Sequence, residues 1–545
     1  MRSGTPVGEP APIKLSAKHL AAVDRRRRIV DQCDANDVLR RLDCDLEPWM
    51  AFVFAHADMP GSQIDSIWWD IGLAEDTYAI YDSKVLPKLD FPRLQKWWDK
   101  GIDWVGELVK RCHARGLETF WSHRVCPVDF PQPWTEERMP HADPRRRNPL
   151  KAKHPDWTVP CWWNQGLWNL ASPGLRDHKT RVLHELAERY PLDGFHLDFA
   201  RHVPCLPLGR QWDLRDHATA FVRGVRTMLL DVAARTGRPI LLAAKVPETL
   251  DGCHTDGFDV ERWVAERLVD ILVLGNRTTT VDIAAFRQLV EGTHIRLCPM
   301  LDDHHSTDGY HQPPIDFFRA VFSNWWHQGA HAVGTFNWPC APRDLYAKRG
   351  LSASYNPGPE TEAITQIGSL ATLRHKNRMY AIERRGGYPW AEGYHNRNDH
   401  RPLPCPIAND GTPTTLPLFI YDDLAADAAQ IEDAALRLVL WSATPADRLE
   451  VTLNGHPLKL IKADPGWKDQ QVYSDKPQPS CPGRSHPPND PAQKLLMALH
   501  TGEARHLRTG RNALELRVAA RGPHRPTGRG SRIEVEKAEL LVSYG

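Results

Sequence analysis

Eight short apolar runs, spaced along the first 340 residues and separated by helix-like segments, constrain this chain more than any other feature. They are 27–35, 64–72, 117–124, 193–201, 240–248, 270–276, 295–302 and 331–338. Eight is the number of parallel strands with which a β/α barrel closes. The runs alternate little between apolar and polar residues, as strands buried on both faces should. Between them, Ser172-Pro173 opens a helix whose stripe is Val182, Leu183, Leu186 and Ala187. Asp213 is placed to cap a second helix, with Phe221, Val222, Val225, Leu229 and Val232 at helical period and Gly237 as its stop. We therefore expect an α/β fold: a (β/α)8 TIM barrel over residues 26–382, after an N-terminal extension of residues 1–25. A helix from Ile364 to about Tyr380 is expected to close the barrel. The proline-rich segment 125–170 is too long for an ordinary connection and reads as an insertion over the barrel mouth. After a linker at 383–402 the period changes to two. Leu449–Leu453 runs into Asn454-Gly455, a strong hairpin signal, and 512–518 and 533–542 alternate, so 403–545 reads as an all-β sandwich.

In a parallel barrel the chemistry sits where the strands end. Reading the last residues of each run collects Trp69 and Asp70, then Trp121, His123 and Arg124, then His196, Asp198, Arg201 and His202. The later runs add Lys245 and Glu248, Asn276, Asp302 and Asp303, and finally Asn337 and Trp338. Ionisable groups thus accumulate at one end of otherwise apolar strands, where an unpaired buried charge would be costly. His196 and Asp198 are two residues apart and share a face. If Phe195, Leu197 and Phe199 meet the helices, the other two meet the barrel axis. Asp198 then serves as nucleophile or general base, Glu248 as general acid, and Asp303 as a third catalytic carboxylate. Such a pair stands about 5 Å apart for retention and roughly 6.5–9.5 Å apart for inversion. A salt bridge from Asp198 to Arg201 or His123, and a helix-capping role for Glu248, are the competing structural readings.

The balance of 69 basic and 68 acidic residues gives no reason to expect a nucleic-acid partner or an anionic membrane. No apolar run is long enough to span a bilayer. The 11 cysteines are dispersed and show no zinc spacing, so no cofactor is expected; a metal held by Asp302, Asp303, His304 and His305 is the alternative. Scattered thiols and the lack of an apolar leader suggest a cytosolic location, or a periplasmic or secreted one if the N-terminus is truncated. The 20 tryptophans offer flat surfaces for sugar rings, with Trp69, Trp121 and Trp338 nearest the strand ends.

The run from Leu167 to His202 resembles the core signature of glycoside hydrolase-like family 10. Asn169, Pro173, Arg176, Tyr190, Asp193, Gly194, His196, Asp198 and Arg201 occupy that family's motif positions, and His154-Pro155-Asp156-Trp157 is similar to its preceding segment. The chain departs from the pattern at Ala200-Arg201-His202-Val203-Pro204 and at Pro299-Met300-Leu301-Asp302. The resemblance implies a sugar-handling barrel. A looser likeness to the α-amylase superfamily lies in Asp198, Glu248 and Asp303. The reading that follows is hydrolysis of an oligo- or polysaccharide. Asp70, Trp69, Trp121, His123, His196, Arg201, His202, Lys245, Asn276, Asp302, Asn337 and Trp338 would bind the substrate. The alternatives are a non-catalytic polysaccharide-binding barrel and a metal-dependent hydrolase or lyase acting on acidic sugars.

Overall fold

The computed structural model describes residues 12–34, 45–70, 76–127, 148–161, 166–275, 278–302, 313–336, 338, 358–384, 402–469, 495–523 and 532–545. All eight expected strands form: β1 (Ile29–Asp34), β2 (Ile64–Asp70), β3 (Glu118–Arg124), β4 (Gly194–Asp198), β5 (Leu241–Val246), β6 (Ile271–Leu274), β7 (Arg296–Asp302) and β8 (Val333–Phe336). They close in the ring β1-β8-β7-β6-β5-β4-β3-β2, so each strand lies beside its neighbours in sequence. The fold is a (β/α)8 barrel followed by antiparallel sheets. The chain forms two compact units, one of Met1–Arg26, Trp68–Val273 and Ala285–Leu297, the other of Arg27–Ile67, Leu274–Ala284 and Cys298–Gly545.

In the first unit, β3, β4 and β5 are parallel and in register, with Arg124 opposite Asp198 and Asp198 opposite Lys245. Helices α1 (Pro173–Arg189) and α2 (Arg215–Thr236) pack outside them. Val182, Leu183, Leu186 and Ala187 of α1 are buried as the stripe requires. Asp213 does not cap α2. Leu214 holds the N-cap position, and Asp213 pairs with Arg210 at 3.0 Å. Gly237, at φ +66°, ends the helix.

Gly194 opens β4 at a crowded point against Phe120. A Cβ there would lie 2.4 Å from the Phe120 ring, which stacks on Trp68 at 4.8 Å. Gly194→Ala should therefore destabilise the fold by about 1–3 kcal/mol, because a packed core resists even one added methyl. Urea unfolding measures this, and an unchanged midpoint would show that the Phe120–Trp68 stack yields freely.

In the second unit, β7 and β8 pair through Met300 and Gly334, and β8 and β1 through Gly334 and Val30. The helix expected over 364–380 does not form. A helix at Gly358–Ala363 stops, Leu370–Leu373 makes a single turn capped by Ser369, and Arg378–Ala381 is a strand, β9. Two local causes interrupt the helix. The Gly368 N–H donates to Gln63 Oε1 at 2.7 Å, at a point too close to Gln63 and Arg28 for a side chain. His375 then adopts a positive φ of 53°, which no helix continues through.

β9 begins the sandwich. The other strands are β10 (Thr414–Ile420), β11 (Ile431–Trp441), β12 (Arg448–Leu453), β13 (Leu460–Asp464), β14 (Leu495–Thr501), β15 (Gly510–Ala520) and β16 (Glu534–Tyr544). One sheet runs β9-β16-β11-β14-β13, with a short sixth strand at Cys405–Pro406 also pairing β16, and the other runs β10-β15-β12 plus a short strand at His456–Pro457. The hairpin turn at Asn454-Gly455 has φ of 53° and 81°, the two positive values a tight two-residue turn needs. Leu416, Leu418, Leu514 and Leu516 of one sheet meet Leu436, Leu438, Leu440 and Leu540 of the other in a dry core. Helix α3 (Ile315–His327) is tied to this body through buried Asp422, which accepts from Ser323 Oγ (2.7 Å) and the Tyr380 hydroxyl and pairs with Arg378 (3.2 Å) and His327 (3.0 Å).

Candidate active site

The side-chain contacts of the first unit separate the two faces of each strand. On the helix side, Trp69 Nε1 donates to Thr119 Oγ1 at 3.0 Å, beside Cys112 of the helix Trp104–Ala114. Trp121 meets the edge of Tyr81 at 6.2 Å. His123 Nε2 lies 3.3 Å from Asp76, which also pairs with Lys179 on α1. Phe199 packs on Phe221 of α2, Phe258 and Trp263. On the axis side stand Trp68 and Asp70 of β2, Phe120, Ser122 and Arg124 of β3, His196 and Asp198 of β4, and Lys245 of β5. They are joined by Trp68–Phe120 and Trp68–His196 ring contacts (4.8 and 4.7 Å), Ser122 Oγ to His196 Nδ1 (2.9 Å), Arg124 Nε to Asp70 (2.9 Å) and Lys245 Nζ to Asp198 Oδ2 (3.5 Å).

Asp198 is fully buried and its two oxygens have different surroundings. The backbone N–H of Arg201 donates to Oδ1 at 2.8 Å, because the chain turns sharply just past the end of β4. Oδ2 faces Lys245, which register brings directly opposite. The carboxylate is thus held in orientation at Oδ1, with a buried cation facing Oδ2. His196, one side chain down the same face, has its pKa pushed down to about 3. Burial is the main cause, and the positive charge of Lys245 adds to it against the pull of Asp198. It is a neutral imidazole, with Nδ1 on Ser122 and Nε2 making no hydrogen bond among the described residues.

Beyond β5, Thr249 Oγ caps the helix Leu250–Asp256 by accepting from the Gly252 N–H at 3.0 Å. The capping work that would have explained Glu248 is therefore done by its neighbour, and Glu248 is a buried carboxyl (4% exposed) in the connection after β5. Arg201 and His202 are also buried, at 7% and 4%.

The structure thus gathers Asp70, His196, Asp198, Arg201, His202, Lys245 and Glu248 at the strand ends of the first unit. It places four other expected residues elsewhere. Trp69 and Trp121 face the helices, and their indoles serve packing. His123 belongs to a buried network behind β3. Burial holds its imidazole low, against the pull of Asp76, and Lys179 and His123 draw Asp76 below the usual carboxylate range against its own desolvation. Trp338, in the second unit, packs on Phe318 and Phe322 of α3 at 4.5 and 5.9 Å. Asn276, Asp303 and Asn337 lie outside the described residues, as does the Asp302 side chain, although Asp302 ends β7 opposite Phe336. Trp68, Ser122 and Arg124 were not selected as binding residues. The alternation that separates them from Trp69 and His123 is visible in the sequence, but the face that points inward is not. Among the described residues no three His, Cys, Asp or Glu side chains gather as metal ligands; His304 and His305 also lie outside them. Among the described residues no helix is long and apolar enough to cross a membrane.

Residues 57–205 match the glycosyl hydrolase-like 10 family. The matched segment carries Asp70, Arg124, His196, Asp198 and Arg201, and it ends before Lys245 and Glu248. No curated protein matches the chain. Among solved structures it is similar to α-L-fucosidase isoenzyme 2 from Paenibacillus thiaminolyticus, at 14% identity and a TM-score of 0.40 over 66% of this chain. The chain spans about half of that fucosidase, 52% of its length. It is also similar to the PgaB (BpsB) glycoside hydrolase domain from Bordetella bronchiseptica (12% identity, TM-score 0.39, covering 63% of this chain and 99% of that one). A third is the α-amylase from Geobacillus thermoleovorans in complex with acarbose (13%, 0.38, covering 91% and 100%).

Proposed function

We propose that this glycosyl hydrolase-like barrel cleaves glycosidic bonds in an oligo- or polysaccharide. Asp198 acts as nucleophile or general base, and Glu248 donates the proton to the departing oxygen. The observation that carries the reading is the setting of Asp198: a buried carboxylate at the axis-side end of β4, with one oxygen held by the Arg201 N–H and the other facing Lys245 at 3.5 Å. An anionic side chain held in that way is ready for attack at an electron-poor carbon without having to reorient. Neutral His196, Asp70 with Arg124, Arg201 and His202 are proposed to hold sugar hydroxyls. The sandwich is proposed to brace the barrel or to bind glycan itself.

The direct test is release of reducing sugar from a panel of oligosaccharides. Binding without turnover would favour a non-catalytic polysaccharide-binding protein. Turnover lost to a chelator, or an unsaturated product absorbing in the near ultraviolet, would favour a metal-dependent hydrolase or a lyase. The role given to Glu248 makes a separate prediction. Glu248→Gln should lose on the order of 10²–10⁴-fold on substrates with poor leaving groups and far less on activated aryl glycosides, which leave without a proton. Equal losses on both would remove Glu248 from the acid role.

A further inference from the structure

Among the described residues Trp212 is the one exposed tryptophan, with 38% of its surface open, while the others are buried or half-buried. Its open surface is a flat aromatic one of the kind on which a sugar ring can stack. Trp212 lies in the connection from β4 to α2, the connection that begins at Asp198, and so stands at the same end of the barrel as the proposed catalytic carboxylates. Its neighbour is His254, 4.2 Å away at 46°, from the connection after β5 that carries Glu248.

The two connections are locked together. A Cβ on Gly257, at φ +80°, would lie 2.4 Å from the Gln211 carbonyl oxygen and 2.8 Å from Leu206, so only glycine allows the approach. Phe199 and Phe258 pack at 5.0 Å beside that contact. The indole itself is held in place. The Arg215 guanidinium lies 4.5 Å from the ring, donates to the Trp212 carbonyl at 2.8 Å and sits 3.4 Å from Asp259, while His254 is held by Glu261 at 2.7 Å. The result is a fixed, partly apolar surface flanked by Arg215 and His254, which suits a pyranose ring: C–H bonds against the open part of the indole, hydroxyls toward the polar neighbours.

We infer that Trp212 forms a sugar-binding subsite on the rim of the barrel, holding a ring of an oligosaccharide away from the bond cut at Asp198, so that the substrate is a chain of several sugars. The inference rests on the glycosidase reading above, and its test separates the two. Binding of malto-, cello- and chito-oligosaccharides of two to six units is measured calorimetrically on the full chain, on Trp212→Ala and on Trp212→Phe, followed by turnover of the ladder that binds. Trp212→Ala should weaken the hexamer at least ten-fold more than the dimer, and Trp212→Phe should recover most of that loss. Length-selective loss without any turnover by the native chain would uphold the subsite and sink the hydrolytic reading. Turnover of the hexamer with a KM that Trp212→Ala leaves in step with the dimer's, or no binding of any ladder, would overturn the subsite.

Discussion

Asp198→Asn is expected to lose on the order of 10³-fold or more in kcat/KM while remaining folded. The amide keeps the shape of the carboxylate and can still accept the Arg201 N–H through Oδ1. It removes the charge, and with it any capacity for nucleophilic or basic attack. The same change takes from the fully buried Lys245 the carboxylate 3.5 Å away. Removing one member of a buried ion pair costs about 3–5 kcal/mol; the lower end applies here, since the pair is long and the Arg201 bond survives. Activity and stability can therefore be separated with a second variant. Asp198→Asn combined with Lys245→Met should recover much of the lost stability, because an apolar side chain of similar length removes the buried charge that faced the carboxylate, yet stay inactive. A single variant with near-native turnover would end the catalytic assignment. A double variant that regained activity would show that the ion pair, rather than the carboxylate, had been the point.

The largest expected effect on stability lies at the opposite end of the first unit. Asp270, just before β6 and fully buried, is gripped by the Arg226 guanidinium through two bonds of 2.7 and 2.8 Å. His19 and His294 lie 2.9 and 3.1 Å away, and the Leu242 N–H donates at 2.8 Å. It joins the N-terminal helix Ala17–Val23, α2 and the starts of β5 and β7 in one network. Burial by itself would raise its pKa, but Arg226 and the hydrogen bonds from His19 and His294 win, holding the carboxyl well below the usual range. Asp270→Asn should cost about 3–5 kcal/mol at neutral pH, since it strands a buried guanidinium. The pH dependence follows from linkage. A carboxyl whose folded pKa is depressed stabilises the fold fully above its unfolded value, near 4, and loses that contribution as pH falls toward the folded one. The native chain should therefore lose stability progressively below about pH 4, and the gap between native and variant should narrow over the same range. Denaturant midpoints at pH 7, 4 and 3 measure this; a gap that stays constant would mean that the network is held by geometry and not by charge.

The positions of the eight strands, the hairpin at Asn454-Gly455 and the likeness to the glycosyl hydrolase-like 10 family were legible in the sequence. Each rests on chemistry local to a few residues: runs apolar enough for burial on both faces, a turn that only certain residue pairs adopt, spacing that puts two side chains on one face. Asp198 was found because alternation along a strand is a property of the backbone alone. The salt-bridge partners expected for it, Arg201 and His123, were only half right. Arg201 contributes its backbone N–H, and the charge opposite comes from Lys245, set by register across two strands. The helix expected at 364–380 shows the other limit. Its apolar period was real, but Gly368 is used for a close approach to Gln63, more than 300 positions earlier, and Arg378–Ala381 finds its hydrogen-bond partners in β16.

What the sequence determined by itself was therefore the set of elements and the periodicity within each, because these follow from local sterics and from the need to bury apolar side chains. Which face of a strand looks into the barrel was decided only by the closed ring. One residue of phase separates Trp68 and Arg124, on the axis, from Trp69 and His123, behind the wall, and that phase is fixed by neighbouring strands packing together, a condition no single strand carries in its own residues.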